Sequence, residues 1–374
     1  MKNWALRESY WKWLGVALVA LLMCACAPME ESQKRSEDKR DLVYPSPPDE
    51  PRFVYERTIR GSADVTPPKA NADLKRMLTG QSEGSEHMGK PYAVAVHKGR
   101  VFVSDSAERF VKVFDVPSGR YFMIGDDEQG PLVKPLGLDV DATGNVYVAD
   151  ATAKAVMVYD RDGKFLRKIG GPKYFDRLSS VTVDSAAQRV LVIDIGGVAS
   201  EHHRVRVFDA ITGNHLFDIG KRGSGPGEFN LPRDAAIGKN GQIYVVDGGN
   251  FRIQVFDRNG KYLQSFGSLG KQLGNFARPK EIATDSEGNV YVIDAAFGNF
   301  QIFDSEGELL MFIGDRSETD GPGRYMLPSG IYVDEDGRVY VVDQWFKKVD
   351  VFRPAHLAAD AGFLGQRARP LAKH

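Results

Sequence analysis

The chain has 374 residues, 42% apolar and 26% charged, a balance that excludes a polytopic membrane protein and a largely disordered chain. Lys plus Arg number 49 against 50 Asp plus Glu, so no overall charge steers it to nucleic acid. The two cysteines, Cys24 and Cys26, exclude a disulfide framework, an iron–sulfur cluster and a haem-attachment site.

Residues 1–12 carry Lys2, Arg7 and Lys12 against Glu8, and an apolar run from Trp13 to Met23 follows. That run suits the core of an export signal and is too short for a comfortable membrane span. It ends at Met23-Cys24-Ala25-Cys26, which resembles a bacterial lipobox with Met23 where Leu is usual. Residues 1–25 are therefore expected to be a lipoprotein signal peptide, with Cys26 carrying the lipid after cleavage behind Ala25. Ala27 rather than Asp follows, which resembles sorting to the outer membrane if the organism has two.

Residues 26–51 contain no apolar periodicity. MEESQKRSEDKRDL and PSPPDEP mix both signs of charge with proline, which keeps a segment solvated and extended. A flexible, lipid-anchored tether is expected there. FVYERTIRG (Phe53 to Gly61) then reads as a lone strand, and Ala70–Leu78 as a short helix.

Beyond it a phrase recurs: VFVSD, VYVAD, LVIDI, IYVVD, VYVID and VYVVD. Its aspartates are Asp105, Asp150, Asp194, Asp247, Asp294 and Asp343, spaced by 45, 44, 53, 47 and 49 residues. About ten residues later a second phrase appears, from VKVFD to VDVFR. Before each unit lies a start such as PYAVAV or PRDAAI, with LSSVTV replacing the proline form in the third copy. Turns of the form Asp-x-x-Gly, as at Asp141 and Asp160, separate the strands, since Gly supplies positive φ and Asp bonds the turn backbone. Four short strands per unit at this period predict a six-bladed, all-β propeller. The blades are expected near 91–125, 135–170, 178–220, 232–267, 279–314 and 328–354. The last lacks a fourth strand, so residues 52–60 are expected to supply it and close the ring across 52–354. Residues 355–374 read as a loosely packed basic tail.

GPGEFNLPRDAAIGKNGQIYVVDGGNFRIQVFDRNGKYLQSFG, blade four, carries nearly the whole pattern by which the chain resembles the NHL-repeat family, and bacterial NHL lipoproteins in particular. The resemblance covers residues 52–354 and implies the fold. A WD-repeat ring fits less well, because Trp345 is the one tryptophan outside the signal.

The repeated aspartates at the end of each second strand suit a structural turn better than a metal ring. At the third position of the first strands stand Ala93, Gly137, Ser180, Asp234, Glu281 and Gly330. Asp234 and Glu281 depart from the small residues expected at a channel mouth, and Arg233 and Lys280 precede them. Local ion pairing and contact with a polar partner or ligand are the two readings. The long loop after Asp194 holds His202 and His203, whose rings point to opposite sides of an extended segment and suit no single ion. Phe110, Phe251, Phe297, Trp345 and Phe346 sit in the equivalent loops, as a protein-binding rim or as packing between blades.

A non-catalytic platform for an envelope protein, held to the membrane by its lipid, requires no catalytic constellation, and none is evident. The propeller is expected to be monomeric and to need no cofactor. The alternative is a metal-dependent, lactonase-like hydrolase using the carboxylates of Asp234 and Glu281. NHL-type amidating lyases hold zinc with inner-strand histidines, which the first-strand starts lack. RNA reading is discarded for an exported, slightly acidic chain.

Overall fold

The structure, a computed structural model, describes residues 42–67, 85–197 and 199–365. The expected signal peptide, Cys26, most of the tether and the expected helix at Ala70–Leu78 lie outside the described residues. Six antiparallel sheets follow one another, and in blade four Pro232–Ile237, Ile243–Asp247, Arg252–Phe256 and Tyr262–Phe266 pair in chain order. The innermost strands are Pro91–His97, Pro135–Val140, Leu178–Asp184, Pro232–Ile237, Pro279–Thr284 and Pro328–Val333. Each touches the next, and the last touches the first. The chain is a six-bladed β-propeller.

The uninterrupted apolar runs follow from this arrangement. The second strands Val146–Asp150, Ile243–Asp247, Val290–Asp294 and Val339–Asp343 are buried at every residue, because a neighbouring blade covers each sheet face. Outer strands such as His215–Ile219 and Leu309–Ile313 alternate between exposed and covered residues. Six apolar clusters fill the six junctions, and the one between blades six and one contains Val94, Phe114, Tyr340 and Val349.

The fourth strand of blade six is Phe53–Ile59, antiparallel to Lys348–Pro354 with Phe53 opposite Pro354 and Ile59 opposite Val349. Charge is buried along with it. The Arg338 side chain is fully buried, donating from Nε to Glu56 Oε2 at 2.8 Å and from Nη2 to the Ala361 carbonyl at 2.8 Å. Lys348, equally buried, meets Asp350 at 2.8 Å, and Asp350 accepts the Thr58 hydroxyl. Such groups tolerate burial only when each has a partner, so the strand supplies electrostatic as well as backbone closure.

Two segments depart from the sequence reading. Val43–Tyr44, assigned to the tether, pairs with Phe53 and Val54 as a fifth strand, and Tyr44 meets Phe352 edge-on at 5.6 Å. The solvated composition before it hid an aromatic anchor. The start of the expected loose tail is also docked: Leu364 in the short helix Gly362–Gly365 is fully buried, and Phe363 N–H donates to Asp336. Apolar burial and these backbone bonds outweigh the basic composition that suggested a free end.

Candidate functional site

The repeated aspartates hold the face on which the site lies. All six are fully buried. Asp150 accepts N–H bonds from Val133 and Lys134, just before the inner strand, and from Thr152 and Ala153 in the turn beyond. Asp294 does the same with Ala277, Arg278, Ala296 and Phe297, and Asp343 with Met326, Leu327, Trp345 and Phe346. In blades one, two, five and six one carboxylate thus fastens the loop entering the blade to the loop between its second and third strands.

Inside this rim the inner strands line a cavity of about 180 Å³. Their channel-facing edges have no strand partner across the channel, so side chains satisfy them. Thr182 donates to the Ala235 carbonyl, Thr284 to that of Ile237 and Ser329 to that of Tyr92. Carboxylates take the N–H groups. Asp234 accepts Ser180 Oγ–H at 2.6 Å and Ile282 N–H at 3.0 Å. Glu281 Oε2 accepts Ile331 N–H at 3.3 Å, and Asp139 accepts Val183 N–H at 2.8 Å. Glu281 Oε1 is buried without a partner among the described residues.

These carboxyls hold their protons strongly. Burial pushes Asp234 up to about 6 and Asp139 up to about 7. Glu281 is raised well above the usual range, by burial first and then by the charge of Asp234.

Arg233 and Lys280 do not pair with the acids beside them. Successive strand residues point to opposite sides, so Asp234 and Glu281, each 7% exposed, turn under the mouth while Arg233 is exposed and Lys280 half-buried above it. Local ion pairing is therefore not what the mouth shows. The cations instead crowd one another. Burial, Arg278, Arg233 and Lys90 bring Lys280 down to about 8, against the opposing pull of Glu281. Desolvation, Arg177 and Arg278 lower Arg233, opposed by Tyr92.

Of the rim aromatics, Phe251 packs into the junction of blades four and five, Phe346 is half-buried, and Trp345 stands 62% exposed. His202 and His203 point apart as expected. His202 meets Asp176 at 2.9 Å, while buried His203 accepts Leu231 N–H at 3.1 Å. Both serve to anchor their loop. Asp139 was not singled out from the sequence, although an acid at the fifth place of PLGLDV, where other copies carry Ala95, Thr182 or Ala236, is a visible signal.

A family model, the NHL repeat, matches residues 229–256, which span the first three strands of blade four. The chain is an NHL-repeat propeller. Over 210 residues it is 26% identical to NHL repeat-containing protein 3 of Mus musculus, across 51% of this chain and 59% of that protein. The chain thus spans less than two thirds of that relative's length. Among solved structures it resembles a gluconolactonase from Xanthomonas campestris, with TM-score 0.55 and 16% identity over 80% of this chain and 98% of the other. A streptogramin B lyase matches with TM-score 0.53 and 14% identity over 71% and 93%. At such identities these likenesses show the fold alone. Within this NHL propeller, no group of three or more His, Cys, Asp or Glu side chains is gathered as for a metal ion among the described residues.

Proposed function

We propose that this NHL propeller is a bacterial envelope lipoprotein, anchored through Cys26, whose ring is a non-catalytic platform for a protein partner. The observation that supports this reading is the division of labour at the channel mouth. Asp234 and Glu281 lie beneath it, bonded to the backbone of the next blade, while Arg233 stands exposed at the start of its inner strand and Trp345 on a loop fastened by the buried Asp343. A rigid rim with exposed charged and aromatic side chains suits recognition without loop ordering. The hydrolase alternative needs carboxylate oxygens turned to a metal or substrate, whereas both oxygens of Asp234 accept hydrogen bonds and Glu281 Oε1 alone of the two carboxyls lacks a partner among the described residues.

The test is cross-linking of tagged protein in its own envelope, with identification of captured chains by mass spectrometry. A second strain carries Ala at Arg233, Lys280 and Trp345, and a third carries Cys26→Ser. One dominant partner, lost with the three alanines, is the expected result, together with release of the Cys26→Ser protein from membranes. Absence of any enriched partner alongside metal-dependent lactone hydrolysis would replace the platform by the enzyme.

A further inference from the structure

The basic residues at the mouth extend beyond Arg233 and Lys280. Lys90, Lys134, Arg177 and Arg278 each immediately precede an inner strand, in blades one, two, three and five. Their backbone N–H groups donate to Asp105, Asp150, Asp194 and Asp294, so all four side chains leave fixed, equivalent points of the same rim. These four and Arg233 are exposed.

None of the six makes an ion pair among the described residues, whereas Arg100, Arg189, Arg204, Arg206, Arg252 and Arg338 all do. The acids of the same loops are largely committed. Asp127 accepts from Gln129 and Phe165, Asp176 from Ser200 and His202, and Glu228 from Gly225 and Lys221. Glu86, Asp126 and Glu128 make no ion pair among the described residues, too few to balance six cations. Burial first, and then the neighbouring Arg278, Arg233 and Lys90, lower the Lys280 ammonium.

We propose that the mouth is a docking site for an acidic polypeptide segment, whose carboxylates are received by Lys90, Lys134, Arg177, Arg233, Arg278 and Lys280. This rests on the platform reading and names the chemistry of its partner. The cations arise from five blades, with Lys134 and Arg278 on opposite sides of the ring, so one small anion does not reach them all. A chain bearing several carboxylates does. Nucleic-acid sites combine such cations with several exposed aromatic rings on which bases stack, and on this rim Trp345 is the one exposed aromatic among the described residues. That favours a carboxylate chain over a nucleic acid.

The experiment measures fluorescence anisotropy of labelled hexaglutamate with the full exported chain, beside hexaglutamine, hexalysine and hexauridylate. One variant carries Arg177→Glu, Arg233→Glu and Arg278→Glu at exposed positions. A control of equal charge change carries Lys164→Glu, Lys239→Glu and Lys261→Glu in exposed turns on the opposite face. Hexaglutamate should bind the unaltered chain, more weakly as salt rises, and at least about tenfold more weakly to the mouth variant. The control should bind as the unaltered chain does, and thermal melting should show all three folded. No hexaglutamate binding, or equal loss in both variants, would overturn the proposal, and tighter binding of hexauridylate would replace it with a nucleic acid. If the envelope partner is captured and lost with the alanines while hexaglutamate fails, the platform stands and its acidic chemistry falls. If neither is seen, both fall.

Discussion

Replacing Asp234 by Asn should stabilise the propeller at pH 8 and leave it nearly unchanged at pH 4. The carboxyl rises from an ordinary 3.8 to about 6 because burial disfavours its charge. Between those two values the folded chain holds a proton that the unfolded chain has released. Stability from this group is therefore greatest below about pH 4, falls as pH rises through the window, and is flat above about 6. The full loss is about 3 kcal/mol, the free-energy equivalent of the shift. An amide removes the ionisation and keeps the geometry: its oxygen accepts Ile282 N–H, and its NH₂ donates to Ser180 Oγ, which replaces Asp234 as acceptor. Removing the charge also relieves Asp139 and Glu281, both of which it pushes upward. Urea unfolding of the full chain at pH 4, 6 and 8 reads the effect as a difference that grows with pH. A variant equally or less stable than the parent at pH 8 would refute the idea that desolvation, rather than a useful charge, dominates this site.

Glu56→Ala should cost about 3 kcal/mol, the low end for breaking a buried pair, because Arg338 loses its 2.8 Å partner and keeps Asp336 at 3.2 Å; denaturant unfolding checks this, and adding Arg338→Met should recover much of the loss. Gly267→Ala should cost about 2–4 kcal/mol, since its φ is +80° and a Cβ would lie 2.3 Å from the Phe276 ring. Gly288→Ala, with φ +104° and open space around it, should cost only about 1 kcal/mol in the same assay. Deleting residues 43–60 should lower the melting temperature of the whole ring in one cooperative transition, because blade six would lose its outer strands and Glu56; an unchanged melt would refute closure by this strand.

The blades were legible in the sequence because they are built from local pairings. Each strand bonds to the next in the chain, so alternating apolar phrases and Asp-x-x-Gly turns recur visibly, and the missing fourth strand after Phe352 pointed back to Phe53–Ile59. The twofold burial of the second strands was likewise written in unbroken runs such as VYVVD. What the alphabet did not show lies between blades. Asp234 bonds to Ile282 and Asp139 to Val183, each serving an inner-strand edge more than forty residues away. Strand alternation already parts Asp234 from Arg233 and Glu281 from Lys280, but only closing the ring decides which side each acid takes. Lys90, Lys134, Arg177 and Arg278 were equally plain as letters. Their assembly around one opening follows from rotation about the propeller axis, which brings equivalent residues of distant repeats to one mouth and turns scattered surface charges into a common electrostatic field.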